Sequence, residues 1–366
     1  MSAADRLPAT SHPNGHSNGH SNDHPTSHLR IAARDFRERR WIHFLLMACL
    51  AVVLAVLLHT RRWGVAEILD YTALDRYFEI RKPQDPKDVS QTLAHTKDIM
   101  LIETTHTLPR GVFAKLLHQF RLAKVVAFDI MFVNQEAELA DDVERMWHQE
   151  YIPAWRKETQ RLGAGIRQAR RTTKVILGQW REEIKQTDRR VPGRYKLDQD
   201  WQQPHAMLWD QADYKAHLMA FRGSDGVIRH VELFEPEKKI PALGLAIAAA
   251  AEGISPDALS RGLNRISRYG GVLHLGSRRI PVAADWRLLI DYVGDRKCFE
   301  ENSNRIMYQV ALLYPPEKFR NKIIIVGETS MKSKEIDRTP FGLMPSIQIH
   351  ANVVATLRNP RGPLTY

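Results

Sequence analysis

The chain has 366 residues, 43% hydrophobic and 26% charged, with a formal net charge of +11. That length accommodates one large domain with appendages, and the apolar share suffices for a sizeable core. The excess charge is +4 up to Trp63 and +7 over everything after it, too dilute to argue nucleic-acid binding but suited to a domain near anionic lipid or cell-wall polymer. The two cysteines are Cys49, inside an apolar run, and Cys298, so neither a disulfide framework nor a cysteine zinc pair is predicted.

Residues 1–29 are rich in Ser, His, Asn, Pro and Gly, and His12, His16, His20, His24 and His28 recur every four residues. Pro13, Gly15, Gly19 and Pro25 break any helix that could turn them into a metal ladder, so residues 1–40 are expected to be a solvated, disordered cytoplasmic tail, with weak metal binding as the alternative. Arg30, Arg34, Arg37, Arg39 and Arg40 then precede Trp41–Thr60, in which Phe44 to Leu58 holds no charge, Pro or Gly. The run nears the minimum of about 17 residues for a bilayer crossing, and Trp41 and Trp63 can mark its two interfaces. A transmembrane helix over 41–60 is therefore predicted. A cleaved signal peptide fits badly, because HTRRWG lacks a small-residue cleavage site. Five arginines precede the run and two, Arg61 and Arg62, follow it. This bias puts the N-terminus in the cytoplasm and the chain from about residue 64 onward outside it.

The outer region opens with a predicted helix, in which Ile68, Leu69, Tyr71, Leu74, Tyr77 and Phe78 recur at helical spacing until Pro83 and Pro86. Asp98–Thr104 reads as a strand, Arg110–Ala123 as a helix and Lys124–Phe132, KVVAFDIMF, as a strand apolar on both faces. That order and length are those of a βαβ unit in a buried parallel sheet. Glu136–Arg171 reads as a charged surface helix, with Arg161, Arg167, Arg170, Arg171 and Lys174 on a solvated face, and KVILG (174–178) as a third buried strand. Residues 181–215 show no period and read as an extended loop or insertion. A turn at 222–226 followed by the alternating Val227–Phe234 signals a hairpin. PALGLAIAAAA (241–251) reads as a small-residue helix packed on the sheet, and Val272–Leu275 with Arg279–Val282 as a strand pair. LLIDYVG (288–294) and NKIIIVG (321–327) read as two more buried strands, and the last helix stops at Pro360. Fold class is thus α/β, a mostly parallel central sheet with flanking helices and a hairpin insertion, behind one N-terminal transmembrane helix.

No phosphate loop, HExxH, GxSxG or GxGxxG occurs, and no Cys/His pair has zinc spacing. No catalytic residue, metal or cofactor is assigned. The ordered motifs KVVAFDIMF, KVILG, SDGVIRHVELF, IPALGLAIAA, LLIDYVG, KFRNKIIIVGETS and DRTPFGLMPSIQIHANVVATL resemble the CHASE2 domain, an extracytoplasmic sensory module of bacterial signalling proteins. The resemblance runs over residues 64–358, leaving 359–366 as a C-terminal stub. It implies a sensory input module of a transmembrane receptor, upstream of a cyclase or kinase output domain, in the cell inner membrane. This chain stops at Tyr366 with neither a second span nor an output domain, so a fragment of a longer receptor is expected. One departure is Glu103-Thr104-Thr105, where relatives tend to carry an Asp at the strand end.

Candidate binding residues follow from the parallel sheet, whose crevice lies outside the strands' carboxyl ends. Glu103, Asp129 and the segment 328–342 should share that end, with Asp337 and Thr339 as its most accessible polar groups and Arg338 able to bind an anion. Each has a plainer reading: Asp129 as a carboxylate capping a loop or neighbouring helix, Asp225 as a turn residue, Arg229 in an exposed ion pair, Asp337-x-Thr339-Pro340 as a locked turn, and His350 as a satisfied core or cap histidine. The expected partners are the membrane and a small-molecule or cell-envelope signal, with a homodimer as one arrangement and no nucleic acid. Two rival functions remain: an extracytoplasmic hydrolase built on Asp129, Asp337 and His350, and a structural dimerisation module that binds nothing small.

Overall fold

In the computed structural model the described residues are 41–56, 71–78, 96–104, 108–132, 152–187, 195–235, 240–294, 299, 304–329 and 336–359. Predictions for the His-rich tail, Arg61–Arg62, Trp63, Cys298, 133–151 and 360–366 lie outside them. Two compact units are present, one up to Glu67 and one from Ile68 onward. The first contributes one described helix, α1 (41–56), all of whose residues are exposed. Residues 57–60 of the predicted span lie outside the described residues, among which no helix is long and apolar enough to cross a membrane.

The second unit opens with α2 (71–78). Its central sheet is built from β1 (Ile99–Thr104), β2 (Val125–Asp129), β3 (Lys174–Thr187), β4 (Tyr195–Gln202) and β5 (Tyr214–His217), with β13 and β14 added later in the chain. Helices α3 (Arg110–Gln119), α4 (Ile152–Ala169) and α5 (Ala206–Trp209) lie between these strands. Next come β6 (Phe221–Arg222), β7 (Ile228–Glu232), β8 (Phe234–Glu235), β9 (Ile240–Pro241), α6 (Leu243–Ala251), α7 (Pro256–Leu263), β10 (Gly271–Leu275), β11 (Arg278–Val282) and β12 (Arg287–Leu289). The chain closes with β13 (Arg305–Met307), α8 (Tyr308–Leu313), β14 (Ile323–Glu328), β15 (Ile336–Thr339), β16 (Gly342–Pro345) and α9 (Ser346–Arg358).

The sheet runs β13-β1-β14-β2-β3, with β5 parallel to the first half of β3 and β4 antiparallel to its second half. All pairs except β3–β4 are parallel. The expected strand–helix–strand unit is present, but β14 enters between β1 and β2. Every residue of β1 and β2 is buried, as their continuous apolar runs require when both faces are covered. Ile99, Leu101, Val125, Ala127, Ile323 and Ile325 face α6 and α9; Met100, Ile102, Val126, Phe128, Ile324 and Val326 face α3 and α4. Burial of each such side chain contributes about 1.5–3 kcal/mol before the entropy of ordering is set against it.

Two expectations are corrected. Residues 181–215 are not an extended loop: β3 continues to Thr187 and folds back as β4, followed by α5 and β5. The sequence hides this because a ladder pairing only with itself needs no apolar alternation. LLIDYVG is not a strand of the parallel sheet either. Only Arg287–Leu289 is strand, antiparallel to β7.

Beyond Ile290, whose N–H donates to the Arg229 carbonyl at 2.9 Å, the segment is held by side chains of α9. The Asp291 N–H donates to Thr356 Oγ1 at 2.9 Å, and the Val293 N–H to Asn352 Oδ1 at 2.9 Å. Alternate amides of an extended chain lie about 6.8 Å apart, and residues four apart on a helix rise about 6 Å. A polar i, i+4 pair can therefore replace a missing strand. Asn352 and Thr356, both fully buried, supply it.

Candidate functional site

Strand register sets the carboxyl edge of the sheet. Glu103 pairs with Gly327, and Gly327 with Asp129. By alternation Glu103 and Asp129 share the face of Leu101 and Ala127, toward α6 and α9. Gly327 between them admits α9: a Cβ there would lie 3.1 Å from Ile347 Cβ and 3.2 Å from Asp129 Cβ. Hairpin β15–β16 ends at Pro345, directly before Ser346 of α9. Its base, Ile336 paired with Pro345, therefore adjoins the same edge. Residues 330–335 of the expected 328–342 segment lie outside the described residues.

Asp129 is buried, and its Oδ2 accepts the Ser346 hydroxyl at 2.6 Å. Its Oδ1 lies 3.5 Å from Nε2 of the buried His350. Ser346 and His350 are one turn apart on α9, whose first turn has no side-chain cap and no acidic residue. Asp129 supplies the missing negative charge from the neighbouring strand. That is the plainer reading of this residue, a carboxylate serving a nearby helix. The plainer reading of His350 fails in part, because its Nδ1 is buried without a hydrogen-bond partner among the described residues, a condition that costs free energy until something polar meets it. Glu103, also buried, forms an ion pair with Arg305 of β13.

Asp337 belongs to a different cluster. Its Oδ1 accepts from Arg222 Nε at 2.9 Å and Nη2 at 2.5 Å. No hydrogen bond or ion pair among the described residues joins it to Asp129. The expected accessibility is corrected: Thr339 is buried, donating to the Gly342 carbonyl at 2.9 Å and accepting the Phe341 N–H at 3.2 Å. Thr339 locks the turn that Gly342 completes at φ +92°. Arg338 is exposed, with its backbone bridged to Val227.

Arg229 is not in an exposed ion pair. Its side chain is 2% exposed and forked to both oxygens of Asp75 (2.8 and 2.6 Å) and of Asp225 (3.1 and 2.8 Å), with Tyr71 stacked 4.4 Å from its guanidinium carbon. Asp225 also makes its expected turn, accepting the Val227 N–H at 3.1 Å. The Arg229 hydrogen bonds hold the Asp225 carboxyl below the usual carboxylate range, against the opposing pull of burial. Burial alone pulls the Arg229 guanidinium down, but the bonds to Asp75 and Asp225 outweigh it and hold the group above its ordinary value. Tyr292, between this cluster and α9, is pushed well above the ordinary phenol value by burial and then by the negative charge of Asp337, with Arg229 opposing. Ser346, Arg305, Arg222, Asp75 and Tyr71 escaped sequence reading because their partners lie far off in the chain. Only Ser346 had a usable signal, a helix start just after Pro345.

The hydrolase constellation does not form. Asp337 is bound to Arg222, and the Asp129 carboxylate stands between Ser346 and His350, so the imidazole is not the group receiving the serine proton. Among the described residues no cluster of three His, Cys, Asp or Glu could hold a metal. The class defined by the fold is a mostly parallel α/β domain with buried polar side chains at the carboxyl edge of its sheet. Its family is settled by sequence: the chain belongs to the CHASE2 domain family, whose model matches residues 48–365. That family is one of extracytoplasmic sensory domains. No curated protein and no solved structure matches the chain.

Proposed function

We propose that this chain is the input module of a bacterial transmembrane receptor, anchored by a helix over 41–60 and sensing a polar small molecule or cell-envelope component outside the cell, ahead of a cyclase or kinase output domain. The observation that carries it is the Asp129–Ser346–His350 cluster at the carboxyl edge of the sheet, where a buried imidazole nitrogen lacks a partner among the described residues. A ligand completing that hydrogen bond would favour the conformation in which the site is closed. In this reading Glu103 and the hairpin residues Asp337, Arg338 and Thr339 are proposed as further ligand contacts. The anchor reading is supported by α1, which is apolar apart from His43 and exposed along its whole described length. Such a helix requires a bilayer or a protein to cover it.

The test is thermal unfolding of the full chain with a panel of polar cell-envelope fragments. A binder should raise the midpoint in the wild type and in Asp337→Ala less strongly, but not in Asp129→Asn or His350→Phe that remain folded. A binder acting equally on all four proteins would place the site elsewhere. The module should not turn over nucleotides. Turnover by the purified chain that is lost in Asp129→Asn would replace the sensor reading with a catalytic one.

A further inference from the structure

The Arg229 cluster joins two pieces of chain that are remote in sequence. Asp75 and Tyr71 belong to α2, the first described element after α1; Asp225 and Arg229 belong to the β6–β7 hairpin. Tyr71 lies so close to that hairpin that a Cβ on Gly223 would sit 2.7 Å from its ring. On the other side of the same hairpin, Arg222 binds Asp337 of β15. Hairpin β15–β16 then leads straight into Ser346, the residue bonded to Asp129. Its turn carries Phe341, whose ring centre lies 6.0 Å from that of Phe78 at the far end of α2.

The ownership of these bonds sets what can move. If α2 lifts away, Arg229 loses Asp75 and Tyr71 but keeps Asp225, four residues away on its own hairpin. No buried charge is then stranded, which is the outcome that makes breaking an ordinary buried ion pair so costly. Asp75 is already 39% exposed and returns to water readily. Phe78, 1% exposed and packed on Tyr292 and Phe341, stays in the core. The helix is thus held at Phe78 by core packing, whereas Tyr71, also buried, is held at the end joined by sequence to α1 by stacking on Arg229.

We propose that Arg229 is a charge latch that holds α2 to the sensory domain, and that the position of hairpin β15–β16, set at Ser346 by the ligand edge, decides through Arg222 and Phe341 whether the latch is closed. A shift at Asp129 would thus reach the segment leading to α1 without rearranging the sheet. The latch rests on the input-module reading for its purpose, yet its mechanics are testable without any ligand.

The experiment is amide hydrogen exchange on the full chain in detergent micelles, comparing wild type, Asp75→Asn, Arg229→Lys and Asp337→Asn. Exchange in α2 should rise at least tenfold in Asp75→Asn and Arg229→Lys, while β14 keeps its protection. Asp337→Asn, which alters the bond to Arg222 and none of the Arg229 bonds to α2, should raise exchange there as well. If Asp337→Asn leaves α2 unchanged while Asp75→Asn opens it, the helix is merely docked and the coupling is refuted. If Asp75→Asn leaves α2 unchanged, or loosens β14 equally, Asp75 is no latch and the proposal fails. A failed ligand screen would leave these exchange results standing, so the two readings fall separately.

Discussion

At the scale of single residues, the informative positions are polar groups buried among apolar ones. Asp225 gives a prediction whose sign follows from its lowered titration. A carboxylate whose folded value lies below its unfolded value, about 3.9, contributes stability above that unfolded value and loses it as pH falls through the folded one. Asp225→Asn keeps an oxygen for the turn and for Arg229 but discards the charge. The stability difference between wild type and Asp225→Asn should be constant from pH 7 to about 4 and close toward zero on further acidification. Urea unfolding at a series of pH values reads this directly. A difference that widens below pH 4 would mean that the remaining charges facing it, Asp75, Arg229, Arg222 and Asp337, dominate instead. Asp225 itself was legible as the aspartate of an Asp-Gly turn. The burial of Arg229 was not, because nothing in SDGVIR reveals that α2, about 150 residues earlier, closes over it.

Secondary elements divide by where their hydrogen bonds go. Strands buried on both faces were readable as apolar runs, and β1, β2 and β14 match their predicted segments within a few residues. The second half of β3 and all of β4 were not, since their ladder is mutual and their sequence is charged. LLIDYVG misled for the opposite reason: it is apolar and buried like a central strand, yet the amides of Asp291 and Val293 are taken by Thr356 and Asn352. The helix α6 was legible from its alanines, and the structure explains them. Every one of its nine residues is buried, and a Cβ on Gly244 would lie 2.5 Å from Val353 Cγ1 of α9. Small residues are what let α6 and α9 approach so closely. Gly244→Ala should cost about 1–3 kcal/mol by overpacking. Combining it with Val353→Ala should recover part of that loss, because contacting sites are not additive. A shift of the urea midpoint at unchanged slope would register both effects. A neutral Gly244→Ala would mean that α6 slides freely against α9.

For the whole molecule, the decisive question is which side of a membrane the domain occupies. The described part of α1 has 16 residues, about 24 Å of helix at 1.5 Å per residue, whereas a hydrocarbon core of about 30 Å needs about 20. The apolar sequence continues through Leu57 and Leu58, which brings the run near the minimum of about 17 residues for a crossing. Orientation rests on the arginines, five before the run and two after it. Basic residues are retained on the cytoplasmic side, so the domain from Ile68 onward should face outward, in agreement with a family of extracytoplasmic sensors. The expected outcome is that a reporter requiring export is active when fused after Trp63 and silent when fused after Arg40, and that a reporter folding only in the cytoplasm shows the reverse. Replacing Arg34, Arg37, Arg39 and Arg40 by Asn should scramble both patterns, because Arg61 and Arg62 then become the dominant cationic flank. If the export reporter is silent after Trp63 in the wild type, the carboxyl-edge site faces the cytoplasm. The signal it receives would then have to be sought inside the cell.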